Sequence, residues 1–272
     1  MWRRAGVRVM ARSPLALRVD WRQSDGVVRT EFRLGRQVLW SGGWGLEIRL
    51  DGKPLPPPIA WDEICRYSDE HADYLELEGQ FGEGVRVQRH LLAVPEDRFL
   101  LVADAVLRAR PGRLEYAGVL PLVEGVSFQA AGQTREGFLT ARGRRTSVLP
   151  LALPEWRVDA RVGDLSVTSR GLELRQEVEG RALFAPLFID LDARRSGRPL
   201  TWRQLTVAEN LAAVPGDRAV GYRVQIGAKQ WLVYSSLGPK GNRTLLGHNL
   251  VSEMLVARFD RGEVEALLEI EG

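Results

Sequence analysis

The sequence predicts an all-β protein, a large antiparallel β-sandwich of the supersandwich kind, with little or no helix. Three observations carry that prediction. Alternation of apolar and polar residues is the dominant pattern, and helical periodicity is nearly absent. Turn signals recur roughly every 8–12 residues, the spacing of sandwiches and barrels. They are Gly42-Gly43, Asp51-Gly52, Glu83-Gly84, Pro111-Gly112, Gly180, Gly197, Pro215-Gly216 and Arg261-Gly262. About fifteen or more strands without a clear helix bury a core only as stacked sheets or a barrel. Seven of the eight tryptophans, Trp21, Trp40, Trp44, Trp61, Trp156, Trp202 and Trp231, are spread along the chain to fill such a core.

The strands follow in order. Leu46 to Leu50 alternates and runs into Asp51-Gly52, a strong hairpin signal. Tyr74 to Glu78 alternates, and Val85 to Leu91 alternates before turning apolar. Arg98 to Ala103 and Leu183 to Ile189 are apolar on both faces and read as central strands. Leu172 to Val178 alternates, and Trp231 to Tyr234 and Val264 to Ile270 complete the set. The last is short enough to read as a helix by periodicity, but its neighbours make it a strand. Leu91-Leu-Ala-Val-Pro-Glu-Asp-Arg98 resembles Leu211-Ala-Ala-Val-Pro-Gly-Asp-Arg218: each is a strand end, a Pro-x-Asp turn and a new strand. One domain over 1–272 is expected, with an internal lobe junction, if there is one, near 108–114 or 192–199.

Composition excludes more than it selects. The chain has 272 residues, 44% hydrophobic and 27% charged, which is ordinary for a soluble globular protein. A chain of this length buries enough surface to fold without disulfides or metal, and Cys65 alone allows no intrachain disulfide. Net charge is +3, almost all the positive charge being arginine. Such a balance steers partners weakly, although arginine forks do suit carboxylates, sulfates and phosphates. No run is long enough to span a membrane. Arg8, Arg12 and Arg18 interrupt the N-terminal stretch, so it is no standard signal peptide. As written the chain reads as cytoplasmic; a fragment of a longer exported protein would look the same. No phosphate-binding glycine loop, cysteine-based zinc pattern, nucleophile elbow or nucleic-acid motif is present, so no cofactor and no nucleic-acid partner is expected.

The chemistry-bearing stretch is Ser68 to Gly79, "SDEHADYLELEG". In an extended chain Asp69, His71 and Asp73 share one face with Leu75 and Leu77, while Tyr74, Glu76 and Glu78 take the other. Asp69, His71 and Asp73 have the donor types for a hard or borderline metal. The plainer expectation is a polar loop entering a strand, with no metal site. Asp104 sits among apolar neighbours in Leu100 to Leu107. A buried carboxylate needs a partner, so a structural ion pair with arginine is expected, Arg89 and Arg223 both being plausible. Asp190 to Arg195 reads as a strand ending in a solvated turn. Arg142-Gly-Arg-Arg145, with Arg135 nearby, is the densest basic patch and reads as a hairpin tip or a glycan contact.

Two stretches carry a family resemblance: Trp61 through "SDEHADYLELEG" to Val106, and Pro199 to Phe259. Together they look like the C-terminal β-sheet part of heparinase II/III-like proteins. The resemblance implies a stacked β-sandwich that in the family follows a helical toroid, with acidic polysaccharides cleaved between the two. This sequence lacks a long amphipathic helix and an Asp-His-x-His-like run; His71, His90 and His248 are far apart. A lyase needs a base near neutrality and a cation for the uronate carboxylate. His71 or Tyr74 would be the base, and Arg86 or Arg89 on the next strand the cation. The expectation is a β-sandwich module tied to polysaccharide processing, binding glycan or packing against a helical partner rather than catalysing on its own. A lyase of uronate-containing glycans and a structural or assembly protein are the alternatives.

Overall fold

A computed structural model describes residues 6–22, 25–158 and 163–271. Among them there are strands and short 3₁₀ turns and no α-helix. Strands β1 (Val7–Arg12), β2 (Leu15–Asp20), β3 (Arg29–Leu34) and β4 (Gln37–Gly43) form a four-stranded antiparallel meander. Its inward face is the apolar half of an alternation, with Leu15, Leu17 and Val19 beside Thr30, Phe32 and Leu34.

The next strands build an eleven-stranded sheet. They are β5 (Gly45–Leu50), β6 (Lys53–Pro54), β7 (Trp61–Ser68), β8 (Asp73–Phe81), β9 (Val85–Val94) and β10 (Phe99–Leu120). After them come β11 (Val126–Ala130), β12 (Gly137–Ala141), β13 (Arg144–Pro150), β14 (Gly163–Thr168) and β15 (Gly171–Asp190). The main path runs β11-β12-β13-β15-β10-β9-β8-β7. Asp51 and Gly52 both have positive φ, 50° and 81°, and close the β5–β6 hairpin as their sequence predicts.

Two expected turns are not turns. Pro111-Gly112 and Gly180 lie inside the longest strands, β10 with 22 residues and β15 with 20. Gly112 pairs with Gly180, and the register shifts between Leu107 and Gly112. The chain continues straight because both arms of β10 find separate partners. Residues Phe99 to Leu107 pair with β9, and Leu114 to Val119 pair with β5. The sheet absorbs the Pro-Gly as a bulge. For the same reason the runs 172–178 and 183–189, expected as separate strands, are two halves of β15.

The C-terminal third supplies β16 (Leu200–Leu205), β17 (Val207–Glu209), β18 (Ala212–Ala213), β19 (Ala219–Ile226) and β20 (Lys229–Ser236). It ends with β21 (Arg243–Leu245), β22 (His248–Leu250), β23 (Met254–Asp260) and β24 (Glu263–Ile270). One sheet of five strands runs β16-β19-β20-β23-β24, and a small one of four runs β18-β17-β21-β22.

Three apolar clusters show how the sheets stack. The first packs Met10, Leu17, Phe32 and Trp40 of the N-terminal meander on Leu75, Leu77, Val87 and Leu91 of the large sheet. The second packs Tyr74, Leu92, Phe184 and Phe188, from the opposite face of that sheet, on Trp202, Tyr222, Val224 and Trp231 of the five-stranded sheet. The third packs Val207, Leu245 and Leu250 of the smallest sheet on Ala219, Tyr234 and Leu255. The large sheet is therefore buried on both faces, which is why its central strands lose polar alternation.

Asp190 to Arg195 is no solvated turn. Asp190 and Asp192 are buried, and Arg195 binds Asp190 at 2.5 Å and the Asp97 carbonyl at 2.6 Å. Burial pushes the Asp190 carboxyl up, against the pull of Arg195. The two Pro-x-Asp segments are both turns, closed by Arg98 N–H to Pro95 and Arg218 N–H to Pro215. Their aspartates do different work. Asp97 accepts from Trp231 Nε1 and Arg258 Nε, both at 2.8 Å, and so ties the large sheet to the five-stranded one. Asp217 accepts from the Arg181 backbone at 2.9 Å.

Candidate functional site

The expected shared face of Asp69, His71 and Asp73 does not form. Asp69 Oδ1 accepts from the backbone N–H of His71 and of Ala72, both at 2.8 Å. An aspartate that bonds its own backbone makes a turn and breaks the two-residue period. His71 is left at the surface, 3.6 Å from Glu70 and 3.7 Å from Glu96. Asp73, the first residue of β8, is buried and taken by Arg12 at 3.2 Å and Arg8 at 3.6 Å. Among the described residues no group of three or more His, Cys, Asp or Glu is placed to hold a metal.

From Tyr74 onward the alternation holds, and it sends polar groups to both faces of the sheet. Facing the first core, Arg89 on β9 lies opposite Asp104 on β10. Both are fully buried, Arg89 at 1% exposure and Asp104 at 0%. Arg89 donates Nε to Oδ1 at 2.8 Å and Nη2 to Oδ2 at 3.0 Å, the two parallel bonds that suit a carboxylate. Its Nη1 donates to the Trp44 carbonyl at 3.2 Å, and its guanidinium lies 3.9 Å from the Trp44 ring. Tyr116 adds a third bond to Asp104 at 2.8 Å. Gly118 makes room for it, since a Cβ there would meet the Tyr116 hydroxyl at 2.1 Å. Burial and the Asp104 charge push the Tyr116 phenol well up. Arg223, the other candidate partner, sits on β19 in the five-stranded sheet.

Facing the second core, Tyr74 and Glu76 on β8 meet His90 on β9. The Tyr74 hydroxyl donates to Glu76 at 2.9 Å and lies 2.8 Å from His90 Nδ1. With its proton on Glu76, the hydroxyl accepts from Nδ1–H, which fixes the tautomer. His90 Nε2 is then a bare acceptor, and it is buried without a partner. Burial lowers His90, with Glu76 and Asp104 pulling weakly upward, and burial pushes the Tyr74 phenol well up.

Tyr74 and Arg89 thus project from opposite faces of one sheet, and His71 lies outside the strand. The structure does not bring His71, Tyr74 and Arg89 together. Arg86 is at the surface, 3.1 Å from Glu78. Glu76 and Tyr116 were not singled out from sequence. The signal for Glu76 was present: it shares a face with Tyr74, and the hairpin brings His90 alongside.

Among the described residues, two concavities are of interest. A cleft of about 420 Å³ lies where the loop after β13 passes edge strand β16, lined by Leu153, Pro154, Glu155, Trp156, Arg203 and Gln204. Trp202 anchors that loop by donating Nε1 to the Leu153 carbonyl at 2.9 Å, and Thr201 bonds Glu155. Trp156 is 51% exposed, an indole held at a polar rim instead of in a core. The second is a groove of about 460 Å³ whose lining mixes Glu47, Glu115 and Glu177 with Arg49 and Arg175. The basic patch is the β12–β13 tip, with Arg142 and Gly143 at positive φ and Arg144 and Arg145 exposed. Arg135 is not part of it, being buried and bonded to the Gly163 carbonyl.

No family model and no curated protein matches the chain. Solved structures do. Heparan sulfate lyase HepC from Pedobacter heparinus is similar with a TM-score of 0.54 at 12% identity, over 83% of this chain and 40% of that one. A mutant of that lyase gives 0.57 at 13% identity, over 86% and 42%. A crystal structure of heparinase III gives 0.52 at 7% identity, over 85% and 41%. The likeness is one of fold, the stacked antiparallel sheets, and the chain spans about two-fifths of those structures' length. Among the described residues no helix is long and apolar enough to cross a membrane.

Proposed function

We propose that this chain is a β-sandwich module of polysaccharide processing that binds an acidic glycan chain at the Trp156 cleft. The observation that carries the reading is the half-exposed Trp156 beside Glu155, Arg203 and Gln204 in an open cleft. A sugar ring has an apolar face that stacks on an indole and hydroxyls that bond to side-chain amides and carboxylates. The likeness in fold to a heparan sulfate lyase supports acidic polysaccharide as the ligand class. In this reading the buried Tyr74–Glu76–His90 and Arg89–Asp104 clusters hold the sheets, and catalysis, where it occurs, needs further groups.

A glycan array followed by an absorbance assay at the unsaturated-uronate band tests it. Saturable binding of uronate oligosaccharides, lost in Trp156→Ala and without unsaturated product, is the expected result. Product formed by this chain alone would establish the lyase reading instead. Neither binding nor product would leave a structural or assembly role.

A further inference from the structure

Most arginines here are neutralised. Arg8 and Arg12 bind Asp73, Arg89 binds Asp104, Arg195 binds Asp190, and Arg258 binds Glu96 and Asp97. Several surface arginines have no such partner among the described residues, and two of them, Arg203 and Arg223, are set against each other. On edge strand β16, Arg203 lies directly opposite Arg223 of β19. Residues directly opposite in an antiparallel pair put their side chains on one face, about 4.5–5.5 Å apart at Cβ. That face is the one turned away from the second core, which Trp202, Val224 and Ile226 of the same strands enter, and farther along it the smallest sheet packs on Ala219 and Tyr234. Their neighbours on that face are Thr201, Leu205, Gly221 and Gln225, with Leu232 of β20 directly opposite Arg223, none of them charged. Among the described residues neither guanidinium has a carboxylate within ion-pair distance or a ring beneath it. The closest carboxylate in the cleft is Glu155, which is bonded to Thr201.

Like charges set directly opposite on a sheet face destabilise it. Arg203 is exposed and lines the Trp156 cleft, and Arg223 is half-buried beside it. Two guanidinium forks offer more donors than the two oxygens of a carboxylate accept, and they match the three or four oxygens of a sulfate or phosphate group.

We infer that Arg203 and Arg223 form a binding site for a tetrahedral oxyanion, a sulfate or phosphate group, at the β16 edge of the five-stranded sheet, on the face turned away from the second core. Free anion binds there without any other ligand. On the glycan reading, the same site takes a sulfate group carried by a chain whose ring stacks on Trp156.

The test is thermal unfolding of the full chain titrated with sodium sulfate against sodium chloride at matched ionic strength, with isothermal calorimetry for affinity. Bound anion raises the melting temperature by mass action. Sulfate also stabilises proteins generally through exclusion from their surface, so the double variant Arg203→Gln, Arg223→Gln sets that baseline. The parent is expected to show a saturable sulfate increment above this baseline, and each single variant to lose about tenfold or more in sulfate affinity. In chloride the variants are expected to melt at or above the parent, since repulsion has been removed. An identical sulfate response in the double variant would overturn the site, as would variants that melt clearly lower in chloride, which marks a structural pair. Calorimetry with inorganic phosphate, a sulfated uronate disaccharide and its unsulfated form then separates the sources. Sulfate binding with no disaccharide binding keeps this inference and ends the glycan reading. Disaccharide binding that ignores both arginines does the reverse.

Discussion

Strands β8, β9 and β10 carry a buried polar cluster on each face, and the two are built differently. Arg89 and Asp104 cancel in charge, and Asp104 receives two bonds from Arg89 and one from Tyr116. Tyr74, Glu76 and His90 are joined in a line by one hydroxyl, and the line ends in a bare His90 Nε2. The first cluster is redundant: Asp104 keeps a hydrogen-bond partner if either Arg89 or Tyr116 is lost. In the second, the Tyr74 hydroxyl is the bridge between both other groups. The difference teaches that burial alone does not rank such clusters; the number of bonds left after one deletion does.

The sharpest way to break the comparison is to remove the charge itself. Asp104→Ala leaves the Arg89 guanidinium buried and unpaired, which is expected to cost about 3–5 kcal/mol. Urea unfolding measures it, and glycan binding per folded molecule is expected to stay unchanged. A variant that unfolds like the parent but loses binding would place Asp104 in a site.

The two tyrosines sharpen the contrast. Tyr74→Phe strands Glu76 and His90 Nδ1 together and is expected to cost about 1–3 kcal/mol. Tyr116→Phe leaves both Arg89 bonds on Asp104 and is expected to cost about 0.5–1.5 kcal/mol. The order is the point: equal losses, or the reverse order, would show that the Tyr74 hydroxyl is no bridge.

The smallest effect is one of pH. Burial lowers His90 and keeps it neutral in the fold. The unfolded imidazole takes up its proton near its ordinary value of about 6.5. Below that pH the unfolded state binds more protons, so this contribution to stability is complete above about 6.5 and is lost as pH falls toward the lowered folded value. Urea unfolding at pH 7.5 and 5.5 is expected to show the loss, and His90→Gln to remove that part of it. An unchanged difference in the variant would assign it to other groups.

Local chemistry by itself determined the fold class, several of the strands and the hairpin at Asp51-Gly52. It also determined that Asp104 needs an arginine. These follow from neighbours in the chain: alternation sets a face, Asp-Gly admits positive φ, and a carboxylate among apolar residues must be paired. Tertiary structure decided the rest. Asp69 turned the chain and scattered a set of donors that even spacing had put on one face. The Pro111-Gly112 dipeptide became a bulge because β9 and β5 were both there to hold β10 straight. Arg89 instead of Arg223 became the partner of Asp104 because β9 lies beside β10 and β19 belongs to another sheet. Trp156 reads like any other tryptophan in sequence, and its exposure comes from a loop held by Trp202 at a sheet edge. Long-range pairing fixes which face of a strand meets which layer, and no spacing within one strand encodes it.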